Sequence, residues 1–120
     1  MRIILTRDSV CAGDDSDAPH EVVWDFPGEV SAQVLLERAA KDYCIHMTNA
    51  SWIAYENRRR ANGRPIAVIS ADWPAPRFLP WVDASLPLAT SDGVAELDFR
   101  YDCRQDPEAL WQRMTDAAAV

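Results

Sequence analysis

HEVVWDFPGEVSAQVLLERAAKDY, residues 20–43, holds a strand, a stop and a helix in one uninterrupted run. From His20 to Phe26 the apolar residues alternate. Val22, Trp24 and Phe26 share one face, Glu21 and Asp25 the other, with Val23 the exception, as expected of a half-buried strand. Pro27 and Gly28 end it. From Glu29 to Tyr43 the period changes. Ala32, Leu35, Leu36, Ala39 and Tyr43 recur at offsets of three, four and seven, which stacks them on one side of a helix. Gln33, Glu37, Arg38, Lys41 and Asp42 take the opposite side. Glu37 precedes Lys41 by one helical turn, the favourable order for an ion pair of ~0.3 kcal/mol.

Outward from this run, residues 2–6 (RIILT) form a short β-branched strand, separated from it by the polar, turn-rich stretch Ser9 to Pro19. Downstream, residues 51–56 (SWIAYE) and 65–71 (PIAVISA) read as strands, with Asn62-Gly63 as a turn signal between them. Residues 72–93 carry prolines at positions 74, 76, 80 and 87 and no sustained period, so an irregular connection is expected. Its content of Trp73, Phe78, Leu79 and Trp81 predicts that it lies against the body of the protein. Residues 95–101 (AELDFRY) alternate cleanly. Asp106-Pro107 then supplies a cap acceptor and a ring with φ preset for the first helical position. Leu110, Trp111, Met114 and Ala117 provide that helix with an apolar stripe. The predicted class is α+β, in the order β-β-α-β-β-β-α.

Composition bounds the rest. At 120 residues, 48% apolar and 26% charged, the chain fits one domain over residues 1–120 with a core of its own. The formal charge of −7 opposes a nucleic-acid partner, because such binding places Lys and Arg on phosphates. Residues 1–57 hold ten acids against four bases, whereas residues 58–77 hold five arginines and one aspartate, an asymmetry that can orient a partner. Lys41 is the only lysine, a bias that with the abundant alanine hints at a GC-rich bacterial genome. Cys11, Cys44 and Cys103 are odd in number and far apart, unlike a disulfide framework. MRIILTRDSV has too short an apolar run for a signal-peptide core, and no stretch approaches the ~20 apolar residues of a membrane span. A cytoplasmic protein with no membrane partner is expected.

Four clusters could carry chemistry. Asp14-Asp15-Ser16-Asp17, with Asp8, His20 and Glu21 nearby, offers hard oxygen ligands, but it lacks the spacing and the glycine of a calcium loop. A solvated turn with no metal is the expectation. Cys44 and His46 share a side if the chain is extended, and they make one ligand pair where structural zinc needs two; Cys44 is read as a small buried hydrophobe. Arg58, Arg59 and Arg60, with Arg64, form a basic hairpin tip suited to carboxylates or phosphates. The segment Trp73-Pro74-Ala75-Pro76-Arg77-Phe78-Leu79-Pro80-Trp81 joins proline stiffness to the residue types favoured as interface anchors. Trp73, Arg77, Phe78 and Trp81, with Arg58, Arg59 and Arg60 at the rim, are the candidate partner-binding residues. No catalytic residue and no cofactor is assigned.

The order of a hairpin, a crossing helix and returning strands over residues 1–101 resembles the β-grasp, or ubiquitin-like, fold. That resemblance implies a mixed sheet with one helix packed across it. The chain ends Ala-Ala-Ala-Val rather than in the Gly-Gly of the fold's modifiers and sulfur carriers, which opposes conjugation. In composition, small size and acidity resemble the immunity proteins with which bacteria neutralise their own toxins. The expected function is a protein-interaction module, an inhibitory partner of another protein. Two other classes stay open: a small hydrolase or metal-dependent enzyme using Asp14–Glu21 with Cys44 or His46, and a self-associating structural protein.

Overall fold

A computed structural model describes residues 1–8, 21–44, 51–57, 63–102 and 106–118. Its elements are β1 (Arg2–Arg7), β2 (Glu21–Asp25), α1 (Ala32–Asp42), β3 (Ser51–Glu56), β4 (Arg64–Ser70), β5 (Arg77–Phe78), β6 (Val94–Asp102) and α2 (Pro107–Ala118). The class is α+β: one mixed six-stranded sheet in the order β2-β1-β6-β3-β4-β5, with two helices. β1 and β6 run parallel at the centre, and every other neighbouring pair is antiparallel. The predicted element order gains one strand, because β5 lies inside the stretch expected to be irregular. With Pro76 before it and Pro80 shortly after, β5 pairs only Ala67 with Phe78 and Val68 with Arg77, a proline-flanked edge.

Alternation along the strands assigns the two faces. Ile3, Leu5, Ala95, Leu97, Phe99, Trp52, Ala54, Ala67 and Ile69 lie beneath α1, which contributes Ala32, Leu35, Leu36 and Ala39, all buried. Each fully buried Leu or Ile adds about 1.5–3 kcal/mol relative to exposure, so this cluster dominates the core. The register between β3 and β4 shifts at Ala54/Tyr55, and that irregularity lets Ile66 join its neighbour Ala67 on the α1 side. On the opposite face Ile53 and Val68 meet Leu110 of α2, with Tyr55, Trp73, Trp111 and Met114 packed around them. Val22, Trp24 and Phe26 pack against the α1-side core as the sequence predicts, and Val23 is exposed.

Helix α1 begins three residues later than its periodicity suggests. Ser31 caps it, its hydroxyl accepting from the Val34 amide at 3.3 Å. The Ala32 and Gln33 amides donate to the carbonyls of Leu86 and Ala84, so the connection after β5 satisfies the helix's open N-terminal donors. The expected Glu37–Lys41 pair is replaced. Glu37 accepts from Gln33 at 3.2 Å, and the ion pair one turn apart is Arg38 with Asp42 at 3.8 Å; Arg38 also lies over the Trp24 ring at 4.2 Å. Asp92 and Gly93, both at positive φ, close a tight turn in which Ser91 and Val94 exchange backbone bonds and β6 begins. In α2, Asp106 caps the Ala109 amide at 3.1 Å, but Ala117 is exposed and drops out of the expected stripe. Among the described residues no helix is long and apolar enough to cross a membrane.

Candidate functional site

The 73–81 segment is held from both sides of β4. β5 pairs with that strand, and the Leu79 amide donates to the Ile66 carbonyl at 2.9 Å, so the backbone leaves the turn after Ser70 and returns along the sheet edge. Strand alternation then separates its side chains. Arg77, opposite Val68, faces α2; its guanidinium lies 4.1 Å from the Trp73 ring centre and 5.6 Å from that of Trp111. Glu108, in the first turn of α2, pairs with it at 2.8 Å. The Trp111 indole donates to the Phe78 carbonyl at 3.1 Å, tying α2 to the segment's backbone. Trp73, Arg77, Trp111 and Glu108 thus form one aromatic and charged platform, with Arg77 still 39% exposed.

Phe78 points to the other face and packs against the α1-side core. Trp81 is half-buried, its indole donating to the Pro65 carbonyl at 3.1 Å. The structure therefore brings Trp73 and Arg77 together and sets Phe78 and Trp81 apart from them as fastenings of the segment. Pro74 and Ala75 are exposed beside Trp73. Between this turn and the C-terminal half of α1 lies a groove of about 290 Å³, with Glu37 and Lys41 on the helix side and Trp73 to Pro76 on the other. Arg58, Arg59 and Arg60 lie outside the described residues; Arg64 is at the start of β4 and pairs with Glu56 at 2.7 Å.

A second cluster sits at the end of β1. The buried Arg7 places its guanidinium 5.6 Å from the centre of the Tyr43 ring, which meets Phe99 and Trp24 edge-on. Burial raises the Tyr43 phenol above its ordinary range, with Arg7 opposing in part. Burial likewise pushes the Cys44 thiol up to about 12, again partly opposed by Arg7. A thiol held neutral and 6% exposed is a poor nucleophile, since the thiolate is the reactive form. Asp14, Asp15, Asp17, His20 and His46 lie outside the described residues, whereas Glu21 opens β2. Among the described residues no three acidic, His or Cys side chains gather as a metal site would require.

The sequence reading misses Arg7, Glu108 and the part of Trp111 beyond core packing. Trp111 had a usable signal, being a large ring with a polar handle at the margin of an apolar stripe. Arg7 had none, because alternation marks it for the buried face only once β1 extends past Thr6. Compared with known proteins, the chain matches no family model, no curated protein and no solved structure.

Proposed function

We propose that this chain is a small acidic protein-interaction module, an immunity-like inhibitory partner of a basic protein, working from a β-grasp-like scaffold. The scaffold reading is supported by the parallel β1–β6 pair at the sheet centre, the β1–β2 hairpin outside it, and α1 crossing between β2 and β3. The net charge of −7 supports attraction to a basic partner and opposes nucleic acid. A buried, unpaired Cys44 thiol supports a reducing compartment such as the cytoplasm.

The observation that carries the reading is the Trp73–Arg77–Trp111 platform beside the groove. Its backbone is fastened by β5, by Trp81 and by Trp111, so docking orders little that is not already ordered, and more contact energy is retained as affinity. Tryptophan and arginine at the centre of a surface are the residue types that concentrate binding energy. The test is capture of binding proteins on immobilised wild type beside Trp73→Ala and Arg77→Glu, each first checked for a wild-type melting profile. Expected is a partner retained by wild type and lost from folded Trp73→Ala. A partner retained equally by both folded variants removes this surface from the proposal.

A further inference from the structure

We propose that the outer edge of β2 is a strand-addition site for an extended, basic segment of a partner protein, a mode of recognition beyond the Trp73–Arg77 platform. The backbone identifies which groups are on offer. The Phe26 amide donates to the Met1 carbonyl at 2.8 Å and the Met1 amino group donates back to Phe26 at 2.7 Å. Exchanging pairs alternate along an antiparallel ladder, so Trp24 and Val22 bond to Ile3 and Leu5 across β1. Val23 and Asp25 consequently direct their N–H and C=O groups away from the sheet. Among the described residues nothing pairs with that side, since β2 ends the strand order.

This edge is guarded only by its two carboxylates, Glu21 and Asp25. Folded proteins blunt exposed edges with charged side chains, lysine above all, with proline, bulges or very short strands. The opposite edge does so, with β5 reduced to two residues between Pro76 and Pro80. β2 has neither lysine nor proline, and its register with β1 runs unbroken from Glu21 to Asp25. At its centre Val23 is 48% exposed, although it is β-branched and apolar.

The charge pattern selects the occupant. Glu21 and Asp25 flank Val23 on one face of the strand, each two residues away. A second copy of this chain docking about a two-fold axis at Val23 would lay Glu21 opposite Asp25 twice, between bodies that each carry −7. A strand with an apolar residue opposite Val23 and a Lys or Arg two positions to either side reverses both contacts. Arg2 meets both oxygens of Asp25, through Nε at 2.8 Å and a terminal guanidinium nitrogen at 3.4 Å, and keeps the carboxyl below its usual range, so it stays ionised and each oxygen keeps a second acceptor site. Main-chain bonds would supply affinity, and the alternate side chains would supply selectivity.

The probe is a short synthetic peptide with threonine at alternate positions and lysine, valine and lysine between them. Controls are the same peptide N-methylated on alternate backbone amides and a scrambled peptide of equal charge. Binding should slow hydrogen exchange at the Val23 and Asp25 amides by at least about tenfold, with both controls inactive. Val23→Pro removes an outward donor at no cost to the ladder with β1 and should abolish binding; Val23→Lys serves the same end should the proline variant not fold. Four results overturn the proposal: no binding at millimolar peptide, binding without protection at these two amides, equal binding of either control, or a dimer of the chain with the same amides protected. Because the readout is at β2, its failure leaves the Trp73→Ala capture result standing, and the reverse also holds.

Discussion

Arg77→Ala separates a surface ornament from a structural clamp, and its cost can be worked from the contacts. The guanidinium lies 4.1 Å from the Trp73 ring centre, and such a stack at a partly exposed site contributes about 0.5–1 kcal/mol. Its pair with Glu108 is 39% and 66% exposed on the two sides, which confines it to roughly 0.2–1 kcal/mol and makes it sensitive to salt. Together they give about 0.7–2 kcal/mol. For 120 residues the unfolding entropy is roughly 0.25 kcal/mol per kelvin, so Arg77→Ala should lower Tm by about 3–8 °C. A double-mutant cycle with Trp73→Ala isolates the stack, and one with Glu108→Gln isolates the ion pair. The Glu108 coupling should fade in about 1 M salt while the Trp73 coupling persists. Zero coupling to Trp73 would mean that the platform does not form in solution. A loss above about 3 kcal/mol would mean that Arg77 is a core clamp, beyond what these exposed contacts can supply.

Two further outcomes check the core. Leu36→Ala, at a fully buried site on the sheet-facing side of α1, should cost about 2–5 kcal/mol in urea unfolding, whereas Val34→Ala, at a 55% exposed position, should stay within about 0.5 kcal/mol; equal midpoints would place α1 on the wrong face. Cys44 has a folded-state thiol raised to about 12, above an unfolded value near 8.5, so its contribution is fully present below about pH 8.5 and is lost as pH rises toward the folded value. Between about pH 8.5 and 10, below the range where Tyr43 adds a loss of the same sign, stability should therefore fall by about 1.4 kcal/mol per pH unit, and Cys44→Ala should flatten that part of the slope; an unchanged slope there refutes the burial of the thiol.

Helix α1 was legible because its apolar residues leave only one way to face a sheet, and the buried set matches the periodic one from Ala32 to Ala39. Its first turn was not legible, because Ala84 and Leu86, distant in sequence, accept from Ala32 and Gln33. β5 exists by virtue of its pairing with Ala67 and Val68, a non-local cause to which local propensity is blind. The turn at Asp92-Gly93 was legible and passed over: an Asp-Gly dipeptide just before a strand is the composition that a positive-φ turn requires. Alternation named the faces of β6 but not its neighbours, since nothing local records that Leu97 pairs across to Leu5 rather than to a strand nearer in sequence. For the candidate site, the sequence grouped Trp73 and Arg77 with Phe78 in one segment. It could not separate them from Phe78, because which face each takes follows from the β5 register.

The two sheet faces differ in a way that bears on where partners meet this protein. α1 lies over the β1, β6, β3 and β4 side chains of one face, so the middle of that face is filled by core side chains and the groove beside α1 opens at its margin. α2 covers the other face only around Ile53 and Val68. Toward β1 and β6 that face instead carries a polar network: Thr6 donates to Asp98 at 2.7 Å, and Arg100 bridges Asp98 at 3.0 Å and Asp8 at 2.9 Å. Asp8 also accepts from the Tyr101 amide, which fixes the end of β1 against β6. Groups already engaged in such pairs gain little by exchanging one partner for another, so the interior of this face is poorly suited to docking. Its margins differ. At one margin Arg77 and Trp73 stand against α2 beside a groove, and at the other Val23 and Asp25 direct backbone groups outward, where nothing among the described residues pairs with them. Both proposed contacts lie at margins because the helices and ion pairs occupy the faces between them.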